Sequence, residues 1–419
     1  MFFIDAFLKV LKPRSDDDII DRVNHYYTPM VMCFFALLIG GKQYFGQPIQ
    51  CWVPAQFTGS WEQYTEYYCF VQNTYFVRMK EPIPPSLQDR ENREIGYYQW
   101  VPFVLALQSF LFFLPILIWR LFNWQSGIRA KNLIGMAIDQ KLMESSSREK
   151  NVKTVASHLK ESLDLQRDLK PSGRLFGFLF YGKHYGIYLS GLYLFIKVLF
   201  IVNVVGQFFI LNRFLGPQYT FWGLEILRDL FYGKPWEESG HFPRVTLCDF
   251  DIRVLGSVQR HSVQCVLLLN MFNEKIYLFL WWWFLGVAIL SCLDFVYWLL
   301  VTIVPDLQLS YIQRFLRVIG EFTGSTDQPE IKRFVQVNLR PDGVTLIRLI
   351  ASNGGELIAT ELVKELWLAF RNRKPSMKTS PTDNVDYSTE FMENGLNVKH
   401  RPRKKMLESI MPIRWSGKS

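Results

Sequence analysis

The chain has 419 residues, of which 49% are hydrophobic and 16% aromatic, and its formal net charge at pH 7 is +9. This positive charge does not indicate nucleic-acid binding, because no DNA- or RNA-binding motif accompanies it. The sequence also contains no Walker loop, nucleophile elbow or metal-ligand spacing, so we expect neither an enzyme nor a bound cofactor.

Residues 1–27 are predicted to form two short cytoplasmic helices. In the first, apolar side chains recur at helical spacing until Pro13 ends the run. These side chains are Phe2, Phe3, Ile4, Phe7, Leu8 and Leu11. Ser15 and the three aspartates after it predict the cap and first turn of a second helix, where the helix dipole favours acids. The Phe-rich start fits either an anchor at the membrane surface or a segment folded into a pore.

Four apolar segments are predicted to cross a membrane, because about 20 apolar residues span a hydrocarbon layer of about 30 Å. They are residues 28–45, 100–122, 186–212 and 276–304. The second segment has no charged residue before Arg120 near its end, the third has only Lys197 and the fourth only Asp294. The first is weaker, with Lys42 near its end, but a three-span topology would place the two cysteine-containing loops in opposite redox compartments. We therefore favour four spans over buried core helices of a soluble protein.

The distribution of lysine and arginine predicts the orientation of the spans. Of the 47 basic residues, 34 lie in the two terminal regions and in the middle loop, residues 123–185, together with Arg120 at its border, whereas 11 lie in the loops 46–99 and 213–275. Both termini and the middle loop are therefore predicted to be cytoplasmic, and the other two loops to face outside. Much of the net positive charge follows from this bias.

Each of the two outer loops contains a pair of cysteines, and disulfides persist in the oxidising space outside the cell. The first loop has Cys51 and Cys69, and the second has Cys248 and Cys265. Four cysteines allow three pairings, among which spacing cannot choose. Strand-forming residues around Cys248 also predict a short antiparallel pair with the stretch near Val263.

The cytoplasmic segments are predicted to be largely helical up to residue 370. The middle loop has apolar residues at helical spacing, and residues 305–370 contain similar segments with a break at Asn353, Gly354 and Gly355. Residues 371–419 are polar, contain several prolines and are predicted to be disordered.

The two charges inside the predicted spans lie at matching depth. Lys197 and Asp294 are each about ten residues from the cytoplasmic end of their span, or about 15 to 17 Å at a rise of 1.5 Å per residue. A lone charge in a membrane is costly, and pairing is the usual remedy. We expect them to interact directly or through a polar group such as Asn203, with snorkelling or water contact as the alternative.

The segment that opens the second span resembles the signature of the innexin family. It reads Tyr97-Tyr98-Gln99-Trp100-Val101-Pro102-Phe103. Further matching segments are Pro48-Ile49-x-Cys51-Trp52-x-Pro54, Cys248-Asp249-Phe250, Leu339-Arg340-x-Asp342-Gly343 and Glu361-Leu362-Val363. The resemblance covers about residues 1–370. Two cysteines in each outer loop also match innexins, whereas connexins carry three.

This resemblance implies a subunit of a large-pore gap-junction channel in the plasma membrane at cell–cell junctions. A ring of innexin subunits, eight in the family, would form a hemichannel that docks through its outer loops with a ring on the neighbouring cell. Ions and small solutes would then pass between the cells, and the expected partners are other subunits, the opposing ring and membrane lipids, without nucleic acid. An undocked hemichannel and a non-channel tetraspan adhesion or scaffold protein are the alternatives.

The resemblance also implies roles for particular residues. The disulfides would join the two outer loops, as Cys51–Cys265 and Cys69–Cys248, and the amino-terminal segment would line the cytoplasmic funnel of the pore together with the first span. The funnel residues would be Met1, Phe2, Phe3, Ile4, Phe7, Leu8 and Leu11. The predicted fold is mainly α and polytopic, with four transmembrane helices per subunit, a small disulfide-linked extracellular domain with short β-strands, and a helical cytoplasmic domain.

Overall fold

The structure is a computed structural model and describes residues 17–79, 81–123, 130–138, 145–168, 174–175, 179–180, 186–215, 232, 242–321 and 327–372. The segment from Met1 to Leu11, which is predicted to line the pore, lies outside these residues. So does the predicted disordered tail after Asn372.

Four helices in the described residues are long and apolar enough to cross a membrane, as the sequence predicts. They are α1 (Ile19–Phe45), α4 (Tyr97–Asn123), α7 (Tyr188–Leu215) and α8 (Leu268–Ile303). Side chains of α1, α4, α7 and α8 form a shared core that includes Met32, Leu105, Phe112, Val204 and Phe284. The centre of the subunit is therefore filled by side chains.

Helix α1 begins earlier than the predicted span at residue 28. The Asp18 side chain caps it by accepting a hydrogen bond from the Ile19 amide (2.7 Å). A π-helical turn over Val23–Tyr27 then leads into Pro29, and the Thr28 hydroxyl donates to the Val23 carbonyl (2.7 Å). The change of hydrogen-bond register accommodates the proline, so the second predicted helix and the first predicted span are one continuous helix.

A small domain, here called the disulfide domain, connects α1 to α4 and leads into α8. It contains β1 (Ile49–Trp52), α2 (Gly59–Val71), β2 (Thr74–Tyr75), α3 (Leu87–Glu91), β5 (Val245–Val254) and β6 (Ser257–Leu267). Its antiparallel sheet has the order β1-β6-β5-β2. Strands β5 and β6 form the predicted pair, with a register from Val245↔Val266 to Val254↔Ser257. The prediction of short strands around Cys248 is confirmed.

A helical layer lies at the opposite ends of the membrane helices. It contains α5 (Ala130–Ile138), α6 (Ser145–Asp168), α9 (Pro305–Ile319), α10 (Gln328–Arg333), α11 (Arg340–Gly354) and α12 (Glu356–Arg371). A short strand pair, β3 (Arg174–Leu175) and β4 (Leu179–Phe180), follows α6. The layer buries Ile134, Leu159, Phe334, Leu346 and Trp367 against Trp119 of α4. Its helical character and the break after Gly354, where Gly355 has a φ of 90°, agree with the sequence prediction.

Candidate functional site

Two disulfides hold the disulfide domain together. Cys51 on β1 is bonded to Cys265 on β6 (S–S 2.04 Å), and Cys69 on α2 is bonded to Cys248 on β5 (S–S 2.03 Å). Cys51 and Cys265 occupy directly opposite positions on neighbouring strands. Each bond therefore joins the loop 46–99 to the loop 213–275, and all four sulfurs lie in the domain core.

The two disulfides have different mechanical roles. The bond between Cys51 and Cys265 reinforces two strands that the sheet already pairs. The bond between Cys69 and Cys248 attaches helix α2 to the sheet, because Cys69 belongs to the helix and Cys248 to β5. Sulfur atoms of Cys51, Cys69 and Cys265 lie close together, but each is in a disulfide and has no thiolate to offer a metal ion.

A polar network holds the outer edge of the same sheet. Arg90 donates a hydrogen bond to the Asp249 carboxylate (2.7 Å), and the Tyr75 hydroxyl donates to its other oxygen (3.2 Å). Burial, reinforced by the Asp249 carboxylate, raises the pKa of Tyr75 to about 12, so its hydroxyl keeps the proton that it donates. Arg260 and Asp251 form a bidentate pair across β5 and β6 (both 2.8 Å). Side-chain contacts therefore supplement the disulfides in stiffening this domain.

Large apolar side chains lie exposed on the disulfide domain. The Trp52 side chain is 83% exposed, and Leu255 at the β5–β6 turn is fully exposed. Helix α2 presents Trp61, Tyr64 and Tyr67 to its surroundings. A monomeric soluble domain rarely exposes so many large apolar groups, so this surface has the character of a contact surface.

The signature segment joins α4 to the disulfide domain. The Tyr98 side chain is buried and its hydroxyl donates to the Phe70 carbonyl at the end of α2 (2.8 Å). The Gln99 amide donates to the carbonyls of Phe70 (2.8 Å) and Val71 (2.9 Å). These bonds satisfy carbonyls that the end of α2 leaves without helical partners. Val101 and Pro102 pack into the helix core, whereas Trp100 and Phe103 face outward.

Lys197 and Asp294 lie in direct contact inside the helix bundle, with the Lys197 ammonium on the Asp294 carboxylate. The ammonium also donates to Asp21 at the start of α1 (2.8 Å). The Tyr193 hydroxyl donates to the other Asp21 oxygen (2.7 Å), and the Tyr193 ring lies 4.9 Å from the Lys197 nitrogen. Lys197 is only 2% exposed, so carboxylates and an aromatic ring replace water around its charge.

The sequence prediction did not include Asp21 in this contact. Asp21 follows three aspartates that suggest a solvent-exposed helix cap. The one feature of the sequence that places Asp21 near the contact is its spacing of three residues from Asp18, which puts both side chains on the same helix face. Asn203, proposed as an intermediary, instead accepts a hydrogen bond from Gln207 (3.3 Å).

A second polar group connects the start of α1 to the helical layer. Arg22 donates to the Asp17 carboxylate (3.0 Å) and contacts the amide oxygen of Asn353 at the end of α11. The Asn353 amide donates to the Asp17 carbonyl (2.9 Å), and His25 contacts the Asp17 carboxylate. The first turns of α1 therefore touch α7, α8 and the helical layer.

The Asp342 carboxylate anchors the helical layer to α7. It accepts hydrogen bonds from the Ser190 amide (2.9 Å) and hydroxyl (2.9 Å), and the same hydroxyl contacts Thr345 (2.9 Å). Burial raises the pKa of Asp342, and its second carboxylate oxygen has no hydrogen-bond partner among the described residues. In the other resembling segment of this layer, Leu362 and Val363 are buried core residues.

A family model described as Innexin matches residues 17–370 of the chain. Innexin unc-9 of Caenorhabditis elegans is 46% identical over 376 residues, which cover 89% of this chain and 97% of the relative. Innexin-19 of Caenorhabditis briggsae is 38% identical over 395 residues (88% of this chain and 89% of the relative), and Innexin eat-5 of C. elegans is 34% identical over 410 residues (94% and 97%). The matched region includes all four membrane helices, the disulfide domain and the helical layer.

Proposed function

The chain belongs to the innexin family of gap-junction channel subunits, and from this we propose that its rings dock in pairs to join the cytoplasms of adjoining cells. As an innexin it is a channel protein and not an enzyme, it is a multi-pass protein of the plasma membrane, and it assembles with other innexin subunits. The extent of the family match supports the proposal, since residues 17–370 include the four membrane helices, the disulfide domain and nearly all of the helical layer.

The pore lies between subunits, on the axis of a ring of eight. Inside one subunit, Phe112, Phe284 and their neighbours fill the space between helices, so a four-helix bundle of this kind has no room for a metabolite. A closed ring is the symmetry that places several subunits around one axis.

Helix α1 lines this pore together with the segment that precedes it. Met30, Phe34 and Leu37 recur at intervals of three and four residues and are exposed in the single subunit. The funnel at the cytoplasmic mouth is formed by the apolar residues from Met1 to Leu11. The termini and the helical layer are cytoplasmic, in keeping with the excess of lysine and arginine there.

The disulfide domain docks with its counterpart on the opposing ring. Each side chain that contact immobilises costs roughly 0.5 to 1.5 kcal/mol, so a surface that is already rigid binds more favourably. Two disulfides and the ion pair of Arg90 with Asp249 supply that rigidity. The exposed Trp52 and Leu255 supply apolar surface for the contact.

Dye transfer between paired expressing cells, measured beside dye uptake by single cells, tests the proposal. We expect dye to pass between paired cells, and we expect a measurable electrical conductance across the junction of the same pairs. Uptake without transfer would favour an undocked hemichannel. Purified protein that forms only monomers or dimers, with neither transfer nor uptake, would favour an adhesion or scaffold protein.

A further inference from the structure

Three membrane helices converge on the ammonium group of Lys197. Asp21 comes from the first turns of α1, Lys197 from α7 and Asp294 from α8. Asp18, the cap of α1, lies 3.9 Å from the same nitrogen. The positions of Asp21 and Lys197 differ by 176 residues, so this contact joins distant parts of the chain.

The ammonium group is shared between carboxylates that lie away from solvent. Asp21 and Asp294 are 2% and 6% exposed. Two buried carboxylates repel each other at close range, and a cation between them converts this repulsion into attraction. Lys197 therefore draws the start of α1 toward α8 as well as toward α7.

The location of this contact along the helices determines where the preceding chain begins. Lys197 is the tenth residue of α7, which begins at Tyr188. At 1.5 Å per residue, Lys197 lies about 14 Å along α7 from its Tyr188 end. Asp21 is therefore held inside the bundle at this level, and Asp17, four residues before it, lies closer to the helical layer, where it contacts Asn353.

Hydrogen bonds from uncharged donors orient the same turns without a second cation. The Trp298 indole donates to Asp18 (3.2 Å), and the Asn24 amide donates to the Ser291 hydroxyl (2.8 Å). Farther along, the Trp283 indole donates to the Thr28 hydroxyl (3.0 Å). These groups would hold α1 in the bundle if the charges were removed together.

We propose that Lys197 is a positioning residue of the channel, which fixes the start of α1 by bridging Asp21 and Asp294 and so sets where residues 1–16 enter the pore. This inference rests on the proposed pore-lining role of that segment. If Lys197 has this role, the contact of Lys197 with Asp21 and Asp294, here called the charge bridge, controls the conductance and voltage response of the channel. Helix packing without the charge bridge is then sufficient for assembly.

The test replaces the whole bridge with neutral groups of similar shape, as Lys197→Met, Asp21→Asn and Asp294→Asn in one chain. This triple variant leaves no unpaired charge among the three positions, and the Tyr193 hydroxyl retains an acceptor at position 21. The matched control, Arg148→Gln with Glu361→Gln, removes a partly buried ion pair (3.0 Å) from the helical layer. Lys197→Arg preserves the charge and serves as the conservative variant.

We expect the triple variant to reach the surface and assemble as the control does, but with altered single-channel conductance and a shifted voltage for half-maximal closure between paired cells. Lys197→Arg keeps the positive charge, so its conductance and its voltage for half-maximal closure should be closer to wild type than those of the triple variant. Purified rings in lipid provide a second readout, with spin labels at Ser15→Cys or at Gln88→Cys on exposed α3, both in a Cys33→Ser, Cys292→Ser background. The distance distribution at position 15 should broaden in the triple variant, while that at position 88 should not.

An assembled triple variant with wild-type conductance, voltage response and label distances would overturn the inference. If the triple variant does not assemble, broadened distances at position 15 in the single variant Asp21→Asn support it, and unchanged distances contradict it. Absence of transfer between cells expressing the wild-type chain would instead contradict the proposed function. The two failures are therefore distinguishable.

Discussion

Individual buried polar residues in this protein connect elements that are distant in sequence. Asp342 illustrates this, because its carboxylate joins the first turn of α11 to the first turn of α7 through Ser190. Its other oxygen has no partner among the described residues, and burial raises the pKa of the carboxyl. A raised pKa favours the neutral form of the carboxyl, and asparagine resembles that form in shape and charge.

We therefore predict that Asp342→Asn is tolerated and Asp342→Ala is not. The alanine variant leaves the buried Ser190 amide without its side-chain acceptor, which costs about 1 to 3 kcal/mol, while the Ser190 hydroxyl keeps its contact with Thr345. Thermal unfolding of purified protein in lipid measures the difference. Asp306→Asn, at an exposed position early in α9, is the control and should change stability little.

The raised pKa of Asp342 also predicts the direction of a pH effect. The folded state binds the proton more tightly than the unfolded chain does, so this contribution to stability declines as pH rises through the raised pKa. Asp342→Asn removes the titrating group. As pH rises above the usual titration range of an aspartate, the unfolding temperature of the asparagine variant should therefore fall less than that of wild type, and an equal fall would contradict the assignment.

At the scale of elements, the disulfide domain is a four-stranded sheet with a helix attached to it. Cys69–Cys248 is the covalent link between α2 and the sheet, whereas Cys51–Cys265 links strands that backbone hydrogen bonds already pair. Removing a disulfide typically lowers the stability of a domain by about 2 to 4 kcal/mol. Removing one or the other of these two disulfides should have different effects on the position of α2.

We predict that Cys69→Ser with Cys248→Ser abolishes coupling between cells more completely than Cys51→Ser with Cys265→Ser. Loss of the first bond loosens α2, together with its exposed Trp61, Tyr64 and Tyr67, on the sheet, whereas loss of the second leaves the strand pairing in place. Junctional conductance, normalised to surface protein, is the measurement. The control is Cys33→Ser, which changes a cysteine of α1 that is in no disulfide. Equal conductance in the two double variants would contradict the ranking.

The turn between β5 and β6 offers a second prediction at this scale. Leu255 and Gly256 have positive φ angles of 51° and 88°, a combination that two-residue hairpins favour and that suits asparagine, aspartate and glycine. Leucine is strained there, since a left-handed conformation costs roughly 1 to 2 kcal/mol.

Leu255→Asp should therefore raise the stability of the disulfide domain, by up to about 1 kcal/mol. Gly256→Ala should lower it, because alanine disfavours the positive φ. Hydrogen exchange of the β5 and β6 amides reports both changes. Destabilisation by Leu255→Asp would mean that Leu255 makes a contact outweighing the strain of its backbone.

For the whole molecule, the helical layer depends on α12. Ala359, Leu362, Val363, Leu366 and Trp367 are buried in its core, and fully burying one large apolar side chain contributes about 1.5 to 3 kcal/mol. We predict that a chain ending after Asn372 assembles and conducts, whereas one ending after Gly354 does not reach the surface. Surface labelling and size-exclusion chromatography of purified protein measure this, and assembly of the shorter chain would contradict it.

The sequence alone was enough to predict four membrane helices, a small disulfide domain and a helical layer, all of which the structure contains. Local patterns predict these elements. Examples are the uncharged stretch between Glu94 and Arg120 and the helical spacing of apolar residues in 305–370. The segment Tyr97–Phe103 pointed to the family for the same reason, because a contiguous motif can be read without knowing the fold.

Only the tertiary structure decided which distant groups meet. Spacing allowed three cysteine pairings, and the structure selects bonds between residues 214 and 179 positions apart. It likewise brings Asp21 to Lys197 and continues α1 back to Ile19, whereas the sequence predicted a separate short helix before a span that begins at residue 28. Such contacts depend on how α1, α7 and α8 pack against one another, and no pattern measured along one segment contains that information.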